Sequence, residues 1–254
     1  MLSDFYNNIL YEIRSELGRV MHSSFNGVIQ DNVFKGCILP GSSEWSGTQD
    51  LSSKLLGTYE QDILEFLNKT KGSYKFLIDI GAADGYYVVG SVFAGIVDRA
   101  YGFEINEKSR DAMIENAKIN NVLDSVYVDS EATLSKINSI LNDQNQGSGI
   151  FIIDIEGAEF DLLTYSFLKA CKNSTLIVEI HEENDLSNKY KDIIDYCSNF
   201  FDINYFYNRT KTIPDLPLIN TINDNFRWLL CSEGRFKQMH WLVLTPRKSP
   251  QSFR

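Results

Sequence analysis

From residue 75 onward the chain alternates short apolar runs with amphipathic stretches of helical period. The runs fall at 75–80, 99–104, 125–129, 150–155, 175–181, 201–207 and 240–245. The amphipathic stretches fall at 85–96, 107–119, 131–142, 158–171 and 186–199. Runs that are apolar throughout belong to strands buried on both faces. Linked by helices, such strands form a mostly parallel sheet with a helical layer on each side. The expected architecture is therefore α/β, with a seven-stranded, mostly parallel sheet.

Ahead of this pattern lies a helical extension, expected over residues 1–70 and packed on the main domain at 71–254. Residues 3–20 place Phe5, Ile9, Ile13, Leu17 and Val20 on one helical stripe, and its mixed, acidic polar face favours docking on the chain's own body. Residues 23–50 are rich in Ser, Gly and Asn and read as irregular. A second helix is expected over 51–69, with Leu55, Leu56, Ile63, Phe66 and Leu67 on its apolar side. A polar loop covers 142–149. A long break, 208–239, interrupts the last two strands, with a short helical pattern near 224–231. Long insertions of that kind are commonly binding loops.

The first strand runs into a glycine-rich turn, Phe76-Leu-Ile-Asp-Ile-Gly-Ala-Ala-Asp-Gly-Tyr-Tyr87, and the second ends Ala100-Tyr-Gly-Phe-Glu104. Two acid-tipped strand ends of this kind can hold a nucleoside-bearing cofactor, the turn through bare backbone and the second acid through the ribose hydroxyls. A dinucleotide fingerprint places a third glycine where this chain has Tyr86, which would obstruct close helix packing. The pattern is instead D-x-G-x-x-x-G, with Asp79, Gly81 and Gly85, and favours S-adenosylmethionine over a nicotinamide dinucleotide. A ligand-free tight turn is the alternative; Glu104, about 25 residues after Asp79 at the expected end of the next parallel strand, weighs against it. Expected cofactor contacts are Asp79, Gly81, Ala82, Gly85, Tyr86, Glu104, Ile105 and Asp154. Asp129 and Ser130 end the third strand, where they either meet the adenine or cap the helix that follows.

The fourth and fifth strands end in Asp154-Ile-Glu-Gly-Ala-Glu159 and Glu179-Ile-His-Glu-Glu183. Adjacent parallel strands would bring Asp154, Glu156, Glu179 and His181 together at the carboxyl edge of the sheet. Buried carboxylates need a cation, a metal or a shared proton. A sulfonium cofactor, a cationic substrate or a divalent metal would each serve. Asp154, Glu156 and Glu179 are oxygen ligands suited to magnesium. His181 has the intrinsic basicity of a general base near neutral pH, and Glu179 is placed to orient it. The plainer readings are a strand-end hydrogen bond for His181 and helix N-terminal placement for Glu156 and Glu159. His22 and His240 have no such company.

These segments, with Phe103-Glu-Ile-Asn106, Asn120-Asn-Val122 and Val178-Glu-Ile-His181, resemble the motif series of the FkbM family of S-adenosylmethionine-dependent methyltransferases. The resemblance covers about residues 55–183 and is carried above all by D-x-E-G-x-E followed by E-x-H. Leu56-Gly-Thr-Tyr-Glu60 resembles a segment that precedes the first strand in some members, which adds Tyr59 and Glu60 to the cofactor set. The resemblance implies a Rossmann-like class I methyltransferase fold and O-methylation of a sugar, glycan or small metabolite. Asp79, Gly81 and Glu104 would hold the cofactor, with Asp154, Glu156, Glu179 and His181 near the acceptor. Two departures stand out. Ala83-Asp84 replaces an Asn followed by an apolar residue, and Ile105-Asn106 follows Glu104 where Pro is common. N-methylation, a non-catalytic partner subunit and an NAD(P)-dependent oxidoreductase are the competing functions.

Composition narrows the partners. The net charge is −10 and no Lys/Arg cluster stands out, which argues against a nucleic-acid partner. The four cysteines are far apart and form no metal or redox pair, as expected for buried thiols in a reducing, cytoplasmic compartment. No basic stretch followed by an apolar one opens the sequence, and no window reaches the ~20 apolar residues of a membrane span. A homo-oligomer remains compatible with the sequence.

Overall fold

The computed structural model describes residues 2–41, 47–143, 148–181, 187–207, 211–235 and 237–247. Seven strands form one sheet: β1 (Phe76–Ile80), β2 (Arg99–Phe103), β3 (Val126–Asp129), β4 (Gly149–Ile153), β5 (Thr175–Ile180), β6 (Phe201–Tyr207) and β7 (His240–Pro246). Their order is β3-β2-β1-β4-β5-β7-β6. β1 to β5 run parallel, and β7 is antiparallel to both β5 and β6. The strand order reverses between β1 and β4, where a crevice opens at the carboxyl edge of such a sheet.

β1, β4 and β5 are buried along their whole length, as their unbroken apolar runs require. Alternation assigns their side chains to two cores. Phe76, Ile78, Phe151, Ile153, Leu176 and Val178 face one side; Leu77, Ile150, Ile152 and Ile177 face the other. Continuing the second set by steps of two reaches Asp79, Asp154, Glu179 and His181. Strand periodicity alone thus delivers the chemistry to one side of the sheet.

Helices α4 (Tyr86–Phe93), α5 (Glu107–Ile119), α6 (Leu134–Asp143), α7 (Glu159–Leu162), α8 (Tyr165–Cys171) and α9 (Ser187–Ser198) connect the strands. The Asn106 side chain caps α5 by accepting from the Lys108 and Ser109 amides. The helix expected over 158–171 is divided between α7 and α8. Thr164 takes extended backbone there and caps α8 by accepting from Phe167 N–H.

The N-terminal region departs further from expectation. Helix α1 spans Leu2–Phe25 and packs on α2 (Leu51–Leu55). Its buried face runs through Arg14, Gly18 and Met21, while Ile9 and Val20 of the expected stripe are exposed. The cause is polar: Arg14 pairs with Asp50 at 2.5 Å, and this contact and Gly18 orient the helix. The helix expected over 51–69 is two helices, α2 and α3 (Gln61–Lys69). Gly57 breaks it, with φ of +69° and its α-carbon packed so that a Cβ would lie 2.4 Å from the Asp31 carbonyl. The resulting turn sends Tyr59 and Glu60 inward.

The break after β6 carries α10 (Pro217–Asn220) and α11 (Asp224–Leu230). Trp228 lies 52 % exposed on α11, so it belongs to no core. Arg209, Glu182 and Glu183 lie outside the described residues. The four cysteines are buried, and burial pushes the Cys37 and Cys197 thiols up to about 12. Among the described residues no helix is long and apolar enough to cross a membrane.

Candidate active site

A cavity of about 620 Å³ opens beside the point of strand reversal, within the size range of small-molecule sites. Its floor is the turn after β1. Gly81 N–H and Ala82 N–H both donate to the Phe103 carbonyl, at 2.9 and 3.0 Å, which ties the turn to the end of β2. Gly81 has φ of +87°, and a Cβ there would lie 1.7 Å from the Asp154 carbonyl oxygen. The bare α-carbon lets β1 and β4 deliver Asp79 and Asp154 side by side.

Glu104, just beyond β2, accepts from Ala83 N–H through Oε2 (3.0 Å) and from Asn106 N–H through Oε1 (2.8 Å). A carboxylate offers about four lone-pair sites, so capacity remains for ligand hydroxyls. The Ile105 side chain is 86 % exposed and forms part of the same wall. Tyr59, Glu60, Asp79, Gly81, Ala82, Tyr86, Glu104, Ile105, Ser130, Asp154, Glu156, Glu179 and His181 all line the cavity.

Two expected residues do not. Asp129 is held by Lys136 Nζ (2.9 Å) and Ser130 N–H (2.6 Å), contacts that keep its carboxyl below the usual range. Those bonds turn it away from the cavity and leave Ser130 at the wall. Gly85 sits behind the turn, where a Cβ would lie 2.4 Å from Met113 Cγ. Its place is in helix packing. Of the aromatic and basic residues near the long break, Tyr205, Tyr207, Arg227 and Trp228 are also away from the cavity.

His181 follows β5. Its Nδ1 lies 3.0 Å from Glu159 Oε1, and that oxygen also accepts from Ile155 N–H and Gly157 N–H at 3.0 and 3.2 Å. An ionised carboxylate only accepts, so Nδ1 carries the proton. Full burial pushes the Glu159 carboxyl up, yet these donors bring it below its ordinary value. The residue that orients His181 is therefore Glu159, not Glu179. The other nitrogen, Nε2, faces Asp154 Oδ1 at 3.7 Å and Glu156 Oε2 at 3.5 Å. Burial lowers the His181 pKa, but Glu159, Asp154 and Glu156 more than offset it, and the net shift is upward. Glu156 adopts φ of +53°.

Glu179 is instead engaged by Arg235, which arrives from beyond α11. The guanidinium pairs with Glu179, with Glu60 Oε1 (2.6 Å) and with Glu233 Oε2 (2.8 Å). Glu60 also accepts from Tyr87 OH at 2.5 Å, and Lys211 pairs with Glu233. One guanidinium thus serves three buried carboxylates. Burial raises Glu60 to about 7 and Glu179 to about 10, with nearby acids adding to the shift. Asp79 is also driven far upward, mainly by burial and then by Asp154, Glu60, Glu104 and Asp84.

Sequence reasoning misses Arg235, Glu233, Lys54 and Trp241 as parts of the site, and it misses the role of Glu159. Lys54 Nζ lies 3.8 Å from Asp84 Oδ1 and over the Tyr59 and Tyr86 rings. Trp241 is foreseeable once β7 is placed beside β5, because it pairs in register with Glu179.

These shifts fix a sign. A carboxyl whose pKa is raised by folding holds protons that the unfolded chain has released, so stability falls as pH rises from about 4.5 through the folded value. Glu60 and Glu179 act this way between pH 5 and 8, and His181, also raised, acts with the same sign above about 6.5. The ligand-free protein should therefore melt several degrees lower at pH 8 than at pH 5.5 by scanning calorimetry. A flat or rising melting temperature would contradict the burial assigned to these groups.

No family model and no curated protein sequence matches this chain. Solved structures share its outline at low identity. Sp1610 of Streptococcus pneumoniae in complex with S-adenosyl-L-methionine is 16% identical over 76% of this chain and 75% of that one, with a TM-score of 0.48. The Bacillus cereus O-methyltransferase in complex with SAH is 14% identical over 91% and 90%, with a TM-score of 0.45. The B. subtilis M1A22 tRNA methyltransferase TrmK is 13% identical over 72% and 65%, also at 0.45. Likeness this distant leaves the chemistry to the residues themselves.

Proposed function

We propose that this protein is an S-adenosylmethionine-dependent methyltransferase of FkbM type that methylates a hydroxyl group of a sugar, glycan or small metabolite. The observation that carries the reading is the excess of carboxylates on a cavity whose permanent cations are Lys54 and Arg235. Asp79 stands far above its ordinary pKa, first because it is buried and then because Asp154, Glu60, Glu104 and Asp84 surround it. S-adenosylmethionine brings a sulfonium and an ammonium, and placing them there would return these acids to their ionised forms.

The fit extends to atoms. Among the described residues the buried atoms Tyr86 Oη, Asp84 Oδ1 and Asp154 Oδ1 have no hydrogen-bond partner, the last two having only loose ion pairs with Lys54 (3.8 Å) and His181 (3.7 Å), and all three residues line the cavity. Such groups are costly unless a ligand engages them. Glu104 supports the ribose reading, and Ile105 offers an apolar surface for the base. In the reaction, an acceptor oxygen attacks the methyl carbon and forms the O–C bond. The electron pair of the breaking C–S bond returns to sulfur, leaving S-adenosylhomocysteine. The hydroxyl proton departs at the corner formed by Asp154, Glu156 and His181.

An RNA acceptor, as named for TrmK, is disfavoured by a net charge of −10 and by the acidic rim, both of which repel a phosphate backbone. The hydride-transfer alternative lacks its third glycine, and α4 begins with Tyr86 packed edge-on against Phe34 and Tyr59. Asp50, Lys54, Tyr59 and Glu60 ahead of β1, with Glu233 and Arg235 ahead of β7, complete the cavity wall.

The test is calorimetric titration with S-adenosylhomocysteine and, separately, with NADH. A dissociation constant of about 1 μM, or roughly −8 kcal/mol, is expected for the first alone. Glu104→Ala should weaken it about tenfold or more. Binding of NADH, or of neither compound, would sink the reading.

A further inference from the structure

We infer that Asp154, Glu156 and His181 form a site for a first-row divalent cation, seated between the cofactor cavity and solvent. The inference rests on the methyltransferase reading for its purpose, but not for its geometry. One ligand atom from each residue lies within 4.8 Å of the other two. His181 Nδ1–H is committed to Glu159, which is fully buried, so Nε2 is the nitrogen left facing two carboxylates. A carboxylate–histidine pair of this form holds the ring of metal-ligating histidines.

The spacing at Nε2 is loose. At 3.5 and 3.7 Å, the Nε2 contacts are longer than the ~2.7–3.2 Å of a good hydrogen bond. They are somewhat longer than the roughly 3.0–3.4 Å edges of a polyhedron whose ligands stand about 2.1 Å from an ion, a gap that small side-chain movements would close. A second observation points the same way. Asp154 Oδ1, 3.7 Å from Nε2, is a buried atom with no hydrogen-bond partner among the described residues.

The oxygen set expected from sequence is Asp154, Glu156 and Glu179. Arg235 holds Glu179, and His181 takes its place. An imidazole with two carboxylates suits manganese or zinc better than magnesium. Glu156 is 54 % exposed, which leaves a side open for an acceptor oxygen. A hydroxyl bound there would release its proton to water more readily. His181 then acts as a ligand rather than as the base.

The probe is Mn²⁺ added to chelator-treated protein, followed by loss of the free-ion paramagnetic resonance signal. One equivalent should bind, and His181→Gln and Glu156→Gln should each weaken binding about tenfold or more with the melting transition retained. Glu156 is exposed, so its variant answers even if His181→Gln misfolds. Absence of Mn²⁺ binding, or equal binding by both variants, overturns the site. Titration of S-adenosylhomocysteine without metal separates the outcomes: binding there with no Mn²⁺ site leaves the methyltransferase reading standing and removes this one.

Discussion

Arg235→Met should cost the protein about 3–5 kcal/mol and lower its melting temperature by about 10 °C. The guanidinium is the shared partner of Glu60, Glu179 and Glu233, and its side chain is 18 % exposed. Removing it leaves buried carboxylates facing one another, and breaking one side of a buried ion cluster costs more than the intact cluster contributes. The deficit carries a pH signature. Without the cation, the folded-state pKa of Glu60, about 7 with Arg235 holding it down, rises further above its unfolded value. The variant's penalty is therefore largest above neutral pH and shrinks as pH falls toward about 5. Chemical denaturation at pH 5 and pH 8 measures both quantities. A loss below about 1 kcal/mol at pH 8 would mean that Arg235 is solvated and that the three-carboxylate network does not exist.

Gly81→Ala is the second large effect. A left-handed backbone costs an L-residue about 1–2 kcal/mol on its own. Here the added Cβ would also lie 1.7 Å from the Asp154 carbonyl, in a contact between two strand ends that cannot separate without moving Asp79 or Asp154. The expected result is a loss of at least about 3 kcal/mol, with S-adenosylhomocysteine binding reduced roughly 100-fold or more in any protein that folds. Gly95→Ala is the control. Gly95 has φ of +63°, and nothing lies within 4 Å of where its Cβ would sit, so it reports backbone strain alone. Equal losses for the two variants would show that the β1–β4 approach is not tight.

The parts of this molecule that were legible in its sequence obey local rules. β1, β4 and β5 announce themselves as unbroken apolar runs, and counting by twos along them reaches Asp79, Asp154, Glu179 and His181 on one face. Glu104 could be placed because a parallel crossover has a narrow range of lengths. What escaped depends on backbone turns and distant partners. Glu159 reaches His181 because Glu156 and Gly157 both take positive φ, a reversal that no periodicity encodes. Asp129 is drawn from the cavity because Lys136, in the first turn of α6, claims its oxygen. Arg235 meets Glu60 across 175 positions of chain, and nothing in either neighbourhood names the other. The α1 stripe misled for a related reason: an Arg14–Asp50 ion pair, not apolar area, decides which side of that helix turns inward.

The antiparallel β7 has a consequence for the chain as it is made. β5 is buried throughout, and its outer edge is sealed by a strand that begins 60 positions after β5 ends. While the polypeptide emerges from a ribosome, the apolar run Leu176–Val178 and its open hydrogen-bonding edge must wait for that strand. An interval of about 3–12 s separates them at ordinary elongation rates. Throughout that interval the nascent protein presents the kind of edge that recruits other strands, so its yield in a cell should depend on what shields β5 until residue 246 is free of the exit tunnel.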